Sequence, residues 1–237
     1  MARVKENNMS GAIGPVVFYV LRGQMFGRIK PGERKKKPTP AMLKRNTLFG
    51  EITRPSSRML KLIKQYVSCP IGFPEYNRLR GWMYILYTAN HDKTRWGIAT
   101  DNNMCQLNPL ADLRHFFKPN ITVSTASGRD VSVNIAAFNP VQDLRAPIKT
   151  LRINIKIIAA SSIAELGPAS IAMETYSFDL TDTMMPAKEF VLDTRGKNGD
   201  IIIAAIAIEF ERASKYDKKD PRWLPMAVIA MGRMRKN

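Results

Sequence analysis

Cysteine and histidine are scarce in this 237-residue chain, with two of each: Cys69, Cys105, His91 and His115. Neither cysteine belongs to a CxxC pair, which argues against a disulfide framework or a thiolate zinc site; reduced thiols in a cytoplasmic setting are expected. Neither histidine stands in HxxxH, HxxE or a cysteine-bearing motif. His91-Asp92 is the pairing that would orient an imidazole, but catalysis or metal binding needs further convergent groups. Both histidines therefore read as solvated or satisfied within a core.

Other absences narrow the field further. GxxxxGK[ST], GxGxxG, GxSxG and HExxH do not occur, which removes the best-defined nucleotide-binding and hydrolytic motifs. Gly11-Ala12-Ile13-Gly14 and the pair Gly23 and Gly27 lack the strand–loop–helix context of a phosphate cradle and read as turn residues. Asp179, Asp182 and Asp193 could form a carboxylate cluster, but Asp179 to Asp182 has the look of a strand end and turn, and no EF-hand loop is present. The expectation is a protein without enzymatic activity or cofactor. Long apolar runs are missing as well. The longest, Ile201 to Ile208, falls far short of the roughly 20 residues of a membrane-spanning helix. Val16 to Leu21 is the nearest approach to a secretory apolar stretch, and glycines, Pro15 and Arg22 interrupt its surroundings, so no leader is expected.

Acidic residues are what the front of the chain lacks most. Residues 1–100 hold 19 Lys/Arg against 5 Asp/Glu, whereas residues 101–237 hold 18 against 15. Charge of one sign gathered in one region creates a field that draws polyanions. It is densest where Arg22, Arg28, Lys30, Arg34, Lys35, Lys36, Lys37, Lys44 and Arg45 lie within 24 positions whose sole acid is Glu33. Such a run suits contact with nucleic-acid phosphates through counterion release. Phe18, Tyr19 and Phe26 are close enough in sequence to act as stacking platforms if exposed. The competing readings are a solvated charged face over a core that takes Phe18 and Tyr19, or a basic arm that meets acidic protein surfaces.

The patterning predicts two kinds of structure. Val16 to Leu21, a turn at Arg22 to Gln24, and Met25 to Ile29 read as a small basic hairpin. Pro31-Gly32 stops it, and Arg34 to Pro38 reads as an extended linker. Thr39-Pro40 supplies a hydroxyl N-cap with proline in the first turn, opening a helix through Met42, Leu43, Leu48, Phe49 and Ile52. Pro55 is expected to end that helix, and Ser56 or Ser57 to cap a second through Met59, Leu60, Leu62, Ile63 and Tyr66. A third helix is expected from Pro74 to about Ala89. Beyond Ile121 the period changes to two. Leu151, Ile153, Ile155 and Ile157 alternate with Arg152, Asn154 and Lys156, as in a half-buried strand. Weaker strand patterns occupy Ile121 to Ser124, Val131 to Phe138, Ile171 to Leu180 and Glu189 to Leu192. Ile201 to Phe210 is apolar enough for a central strand covered on both faces, and Trp223 to Met231 closes the set.

These readings combine into an α+β chain: a basic hairpin and about three helices over 1–90, a connector over 91–120, and an antiparallel β-sandwich of immunoglobulin-like type over 121–237. The thirteen methionines fall mostly at core-like positions and read as packing. The front pattern Ser10-Gly11, Gly14-Pro15-Val16-Val17-Phe18-Tyr19, Arg22-Gly23, Arg28 and Pro31, with Pro38-Thr39-Pro40 and the helix through Arg45 and Phe49, resembles an uncharacterised family of basic proteins of about two hundred residues from Bacteroidota. Gly199 to Ile203, Ala204 to Phe210 and the tail at Met231-Gly232 are similar to that family's terminal β region. The Lys35 to Lys37 run and the segment Gly72 to Trp96 depart from it. The resemblance implies a fold and no catalytic residues. The expected function is sequence-nonspecific binding of nucleic acid through the basic front half. The alternative is a structural subunit of a large assembly, such as a phage particle, docking its basic arm on neighbours as a homo-oligomer or larger array. The expected location is the cytoplasm or an assembled particle, with no membrane partner.

Overall fold

The computed structural model describes residues 3–5, 8–21, 24–32, 37–90, 104–125, 130–162, 168–197, 200–212 and 220–233. The chain divides into two compact units, Met1–Lys44 and Arg45–Asn237.

The first unit contains an antiparallel meander in sequence order: β1 (Arg3–Lys5), β2 (Asn8–Ile13), β3 (Val16–Leu21) and β4 (Gln24–Ile29). Val16 to Leu21 is dominated by β-branched and aromatic residues, which suits a pleated ribbon. β3 pairs with β4 from Val16 opposite Ile29 to Leu21 opposite Gln24. β2 and β3 join through Gly14-Pro15, where Gly14 has φ +55°. A glycine at positive φ followed by proline at its fixed φ suits the tight turn that keeps two twisted strands together. β1 and β2 extend the two expected arms into a four-stranded sheet. Their mixed polar and glycine composition carries no alternation from which to read them.

The second unit has three layers. Helix α1 (Pro40–Ile63) begins in the first unit and continues into the second, and α2 (Phe73–Asn90) follows it. Thr39 caps α1 as its composition predicts, its Oγ1 accepting from the Met42 N–H at 3.3 Å. Pro55 does not end the helix. Ile52, Pro55, Ser56, Met59, Leu60 and Ile63 are all buried, a spacing that forms one continuous stripe through the proline. Packing of that stripe holds the turn that the missing N–H would otherwise open. Hydroxyls serve neighbouring carbonyls there: Thr53 Oγ1 donates to Phe49 O at 2.7 Å and Ser57 Oγ to Thr53 O at 2.8 Å.

A five-stranded sheet forms the middle layer in the order β5 (Cys105–Gln106), β12 (Met226–Arg233), β11 (Ile201–Arg212), β8 (Thr150–Ser162), β9 (Ser170–Asp179). The outer layer is a three-stranded sheet, β10 (Lys188–Asp193), β7 (Asp130–Ile135), β6 (Ile121–Thr125), and every pairing is antiparallel. β11 shows why the layers stack. Ile202, Ala204, Ile206, Ile208 and Phe210 enter the core between the sheets, with Val133, Ile155 and Phe190. Ile201, Ile203, Ala205 and Ala207 enter a second core against the helices, with Met59, Leu60, Leu79 and Met83. Each fully buried aliphatic side chain contributes on the order of 2 kcal/mol. The alanines on the helix side permit close approach.

Three expectations change here. The seam expected within Thr88 to Asn120 gives way to a boundary at Lys44 and Arg45. The outward face of the five-stranded sheet is apolar along part of its length, so α1 and α2 cover it. The expected connector 91–120 likewise contributes core: Leu107, Leu113, Phe116 and Phe117 are buried, and Arg78 donates to the carbonyls of Gln106 and Leu107 at 3.2 and 3.0 Å. Leu151 leaves its predicted face. A bulge opposite Glu211 and Arg212 takes it out of register, and it is 59% exposed, whereas Ile153, Ile155 and Ile157 are fully buried.

Among the described residues no helix is long and apolar enough to cross a membrane.

Candidate nucleic-acid interface

Alternation along β3 separates the three aromatic residues that the sequence groups together. Tyr19 lies directly opposite Phe26, and Phe18 opposite Gly27 on the other face. The rings of Tyr19 and Phe26 stack at 5.8 Å between centroids with 22° between planes. Both stay open to solvent, at 40% and 38% exposure. Arg28, a diagonal neighbour of Tyr19, places its guanidinium carbon 5.8 Å from that ring centroid. On the reverse face Phe18 is half-buried against Gly27, where an added Cβ would come within 3.3 Å of its ring.

The other described cations of the basic run are exposed too: Lys30 just after β4, Lys37 before α1, and Lys44 and Arg45 in its second turn. α1 has no acidic residue in its first turn, so the partial positive charge of its amide end is not offset locally. Arg45 falls in the second compact unit, and Arg28, Lys30, Lys37 and Lys44 in the first. Arg22, Arg34, Lys35 and Lys36 lie outside the described residues, as does His91. Arg54, Lys61 and Lys64 on and just after α1 are exposed cations as well. Their spacing matches any solvated helix face, so the sequence does not distinguish them.

Cysteine, histidine and aspartate side chains lie in separate settings. Burial pushes the Cys69 and Cys105 thiols up to about 12, Glu75 adding to the shift at Cys69 and Arg78 opposing it at Cys105. His115 is exposed in α3 (Leu113–Phe116). Asp179 accepts from Arg152 at 3.2 Å, Asp182 from Asn139 at 2.7 Å, and Asp193 from the Arg195 N–H at 2.7 Å. Each carboxylate thus has a different partner. Among the described residues no three acidic, histidine or cysteine side chains group as a metal site.

No known protein family, curated protein or solved structure matches the chain.

Proposed function

We propose that the protein binds single-stranded nucleic acid without sequence preference, through the basic sheet of its first unit. The observation that carries this reading is the solvent-exposed stack of Tyr19 and Phe26 with Arg28 beside it. Bases stack on exposed aromatic rings whatever their identity, and only unpaired bases are free to do so. Residues 1–44 carry 10 Lys/Arg against 2 Asp/Glu, which supplies phosphate contacts. Buried, protonated thiols and separately held carboxylates support a binding protein over an enzyme. The reading fits a cytoplasmic or particle-borne protein, and the kinship proposed with the basic Bacteroidota family adds no catalytic role to it.

The decisive experiment is fluorescence anisotropy with a labelled oligothymidine and a duplex of equal length. Affinity for the single strand should be measurable near about 50 mM salt and fall linearly on a log–log plot as salt rises. Replacing Tyr19 and Phe26 together by Ala should weaken it about tenfold or more. Absence of binding at low salt, or an affinity indifferent to salt, overturns the proposal.

One observation favours a second reading, docking within an assembly. Ile13, Val20, Met25 and Ile29 are exposed on the first unit's sheet, at 49%, 40%, 49% and 81%, and apolar faces of this kind mark contacts. Light scattering distinguishes the two: self-association that rises with concentration, in a protein that does not bind the oligonucleotide, favours docking. For the second unit we infer an immunoglobulin-like sandwich. Its support is the strand order, β10, β7, β6 against β5, β12, β11, β8, β9, in which the chain crosses between the sheets after β7, β9 and β10 as in a Greek key.

A further inference from the structure

A cavity of about 660 Å³ opens in the second unit, remote in sequence from the basic run. Its walls come from four segments: Leu110 beyond β5, His115 and Phe116 of α3, Arg145 just after α4 (Pro140–Asp143), and Arg222 and Trp223 of the short 3₁₀ helix Pro221–Trp223. The buried Phe116 ring meets Trp223 edge-on at 5.6 Å and 88°. The Arg145 guanidinium lies over the Phe116 ring at 5.8 Å. Its backbone is pinned as well, the Arg145 N–H donating to Phe116 O at 3.0 Å. Arg145 is thus an exposed cation whose backbone is fixed and whose head group lies against an aromatic wall.

The charges around it leave it unneutralised. Asp112 at the rim is held by Arg114 at 2.6 Å, and Asp220 holds Arg222 at 2.8 Å. Among the described residues no carboxylate lies within ion-pair distance of Arg145. A planar guanidinium in this setting suits an oxyanion, which it can take with two parallel hydrogen bonds. Leu110, 63% exposed, and Trp223 offer apolar surface that an inorganic ion would leave wet. The volume lies within the range of about 300–1,000 Å³ typical of small-molecule sites.

We propose that this cavity binds a mononucleotide, its phosphate on Arg145 with His115 supplying a further donor, and its base against Leu110 and Trp223. The site stands independently of the nucleic-acid reading, which rests on residues of the other unit.

Calorimetric titration of the full chain with AMP, adenosine and inorganic phosphate tests it. AMP should bind about tenfold or more tightly than either fragment, because only AMP satisfies both the cation and the apolar wall. Arg145→Ala should lose about tenfold or more in AMP affinity, and Arg145→Lys should retain part of it. Arg145→Gln, which keeps a polar plane over Phe116, gives the same comparison if the alanine variant unfolds. The double variant Tyr19→Ala, Phe26→Ala should bind AMP as the parent does. Four results overturn the proposal: no AMP binding, equal affinity for AMP and either fragment, AMP affinity unchanged by loss of the Arg145 cation, or AMP affinity lost in the Tyr19 and Phe26 variant.

Discussion

Asp200 is buried beside the start of β11, with one carboxylate oxygen accepting from the Lys197 N–H at 2.8 Å and the other without a partner among the described residues. Burial raises its pKa above the ordinary carboxylate value, the Lys197 amide and charge opposing the shift only in part. A raised folded-state pKa means that the native protein holds the proton more tightly than the unfolded chain. The stability this confers is full below the unfolded value and is lost as pH rises through the folded one. Asp200→Asn is accordingly expected to raise the melting temperature at pH 7, with the gain shrinking towards about pH 4, as thermal unfolding across that range would record. A melting temperature that falls at pH 7 would show the charge to be useful where it stands. At the same scale, Phe18 and Tyr19 show what residue identity conveys and what it does not. Their adjacency is plain in the sequence, but the pleat sends one ring to each face, and only the pairing register places Phe26 with Tyr19.

Elements were legible where a periodic stripe and a local cap agreed. Thr39-Pro40 opens α1 where the capping chemistry puts it, and α2 (Phe73–Asn90) matches the helix expected from Pro74 to about Ala89, burying Leu79, Met83, Leu86 and Tyr87 at helical spacing. Pro55 shows a local rule overridden. Its missing N–H leaves the Glu51 carbonyl without its helical donor, but its ring is buried among Ile52, Ser56 and Met59 on one stripe. Pro55→Ala restores the donor, a gain of up to ~3 kcal/mol, and removes buried ring carbons worth ~1–2 kcal/mol. A net stabilisation of about 1 kcal/mol is the expected outcome, visible as a higher denaturant midpoint with an unchanged slope. The bulge at Leu151 is the sheet counterpart. Strict alternation predicted its face, and one unpaired residue in the ladder moved it to solvent.

Among the described residues, both hydrophobic cores draw only on Arg45–Asn237. A chain beginning at Arg45 should therefore unfold cooperatively with a midpoint within a few degrees of the parent's, since α1 contributes its first buried residue only at Ile52. The same truncation should abolish salt-dependent oligonucleotide binding while leaving AMP binding intact. Calorimetry and anisotropy on one preparation check all three outcomes, and loss of the cooperative transition would mean that the first unit stabilises the second. The sequence by itself determined the charge asymmetry, the antiparallel strands, the doubly covered β11 and the capped start of α1. These follow from composition, period-two or 3.6-residue repeats and capping chemistry, all of them local. Only the tertiary structure decided that the helices pack on the five-stranded sheet, that Tyr19 stacks on Phe26, and that Phe116, Arg145 and Trp223 share one cavity. Those arrangements depend on which distant surfaces bury one another, and side chains tens of residues apart leave no periodic mark of the contact they will make.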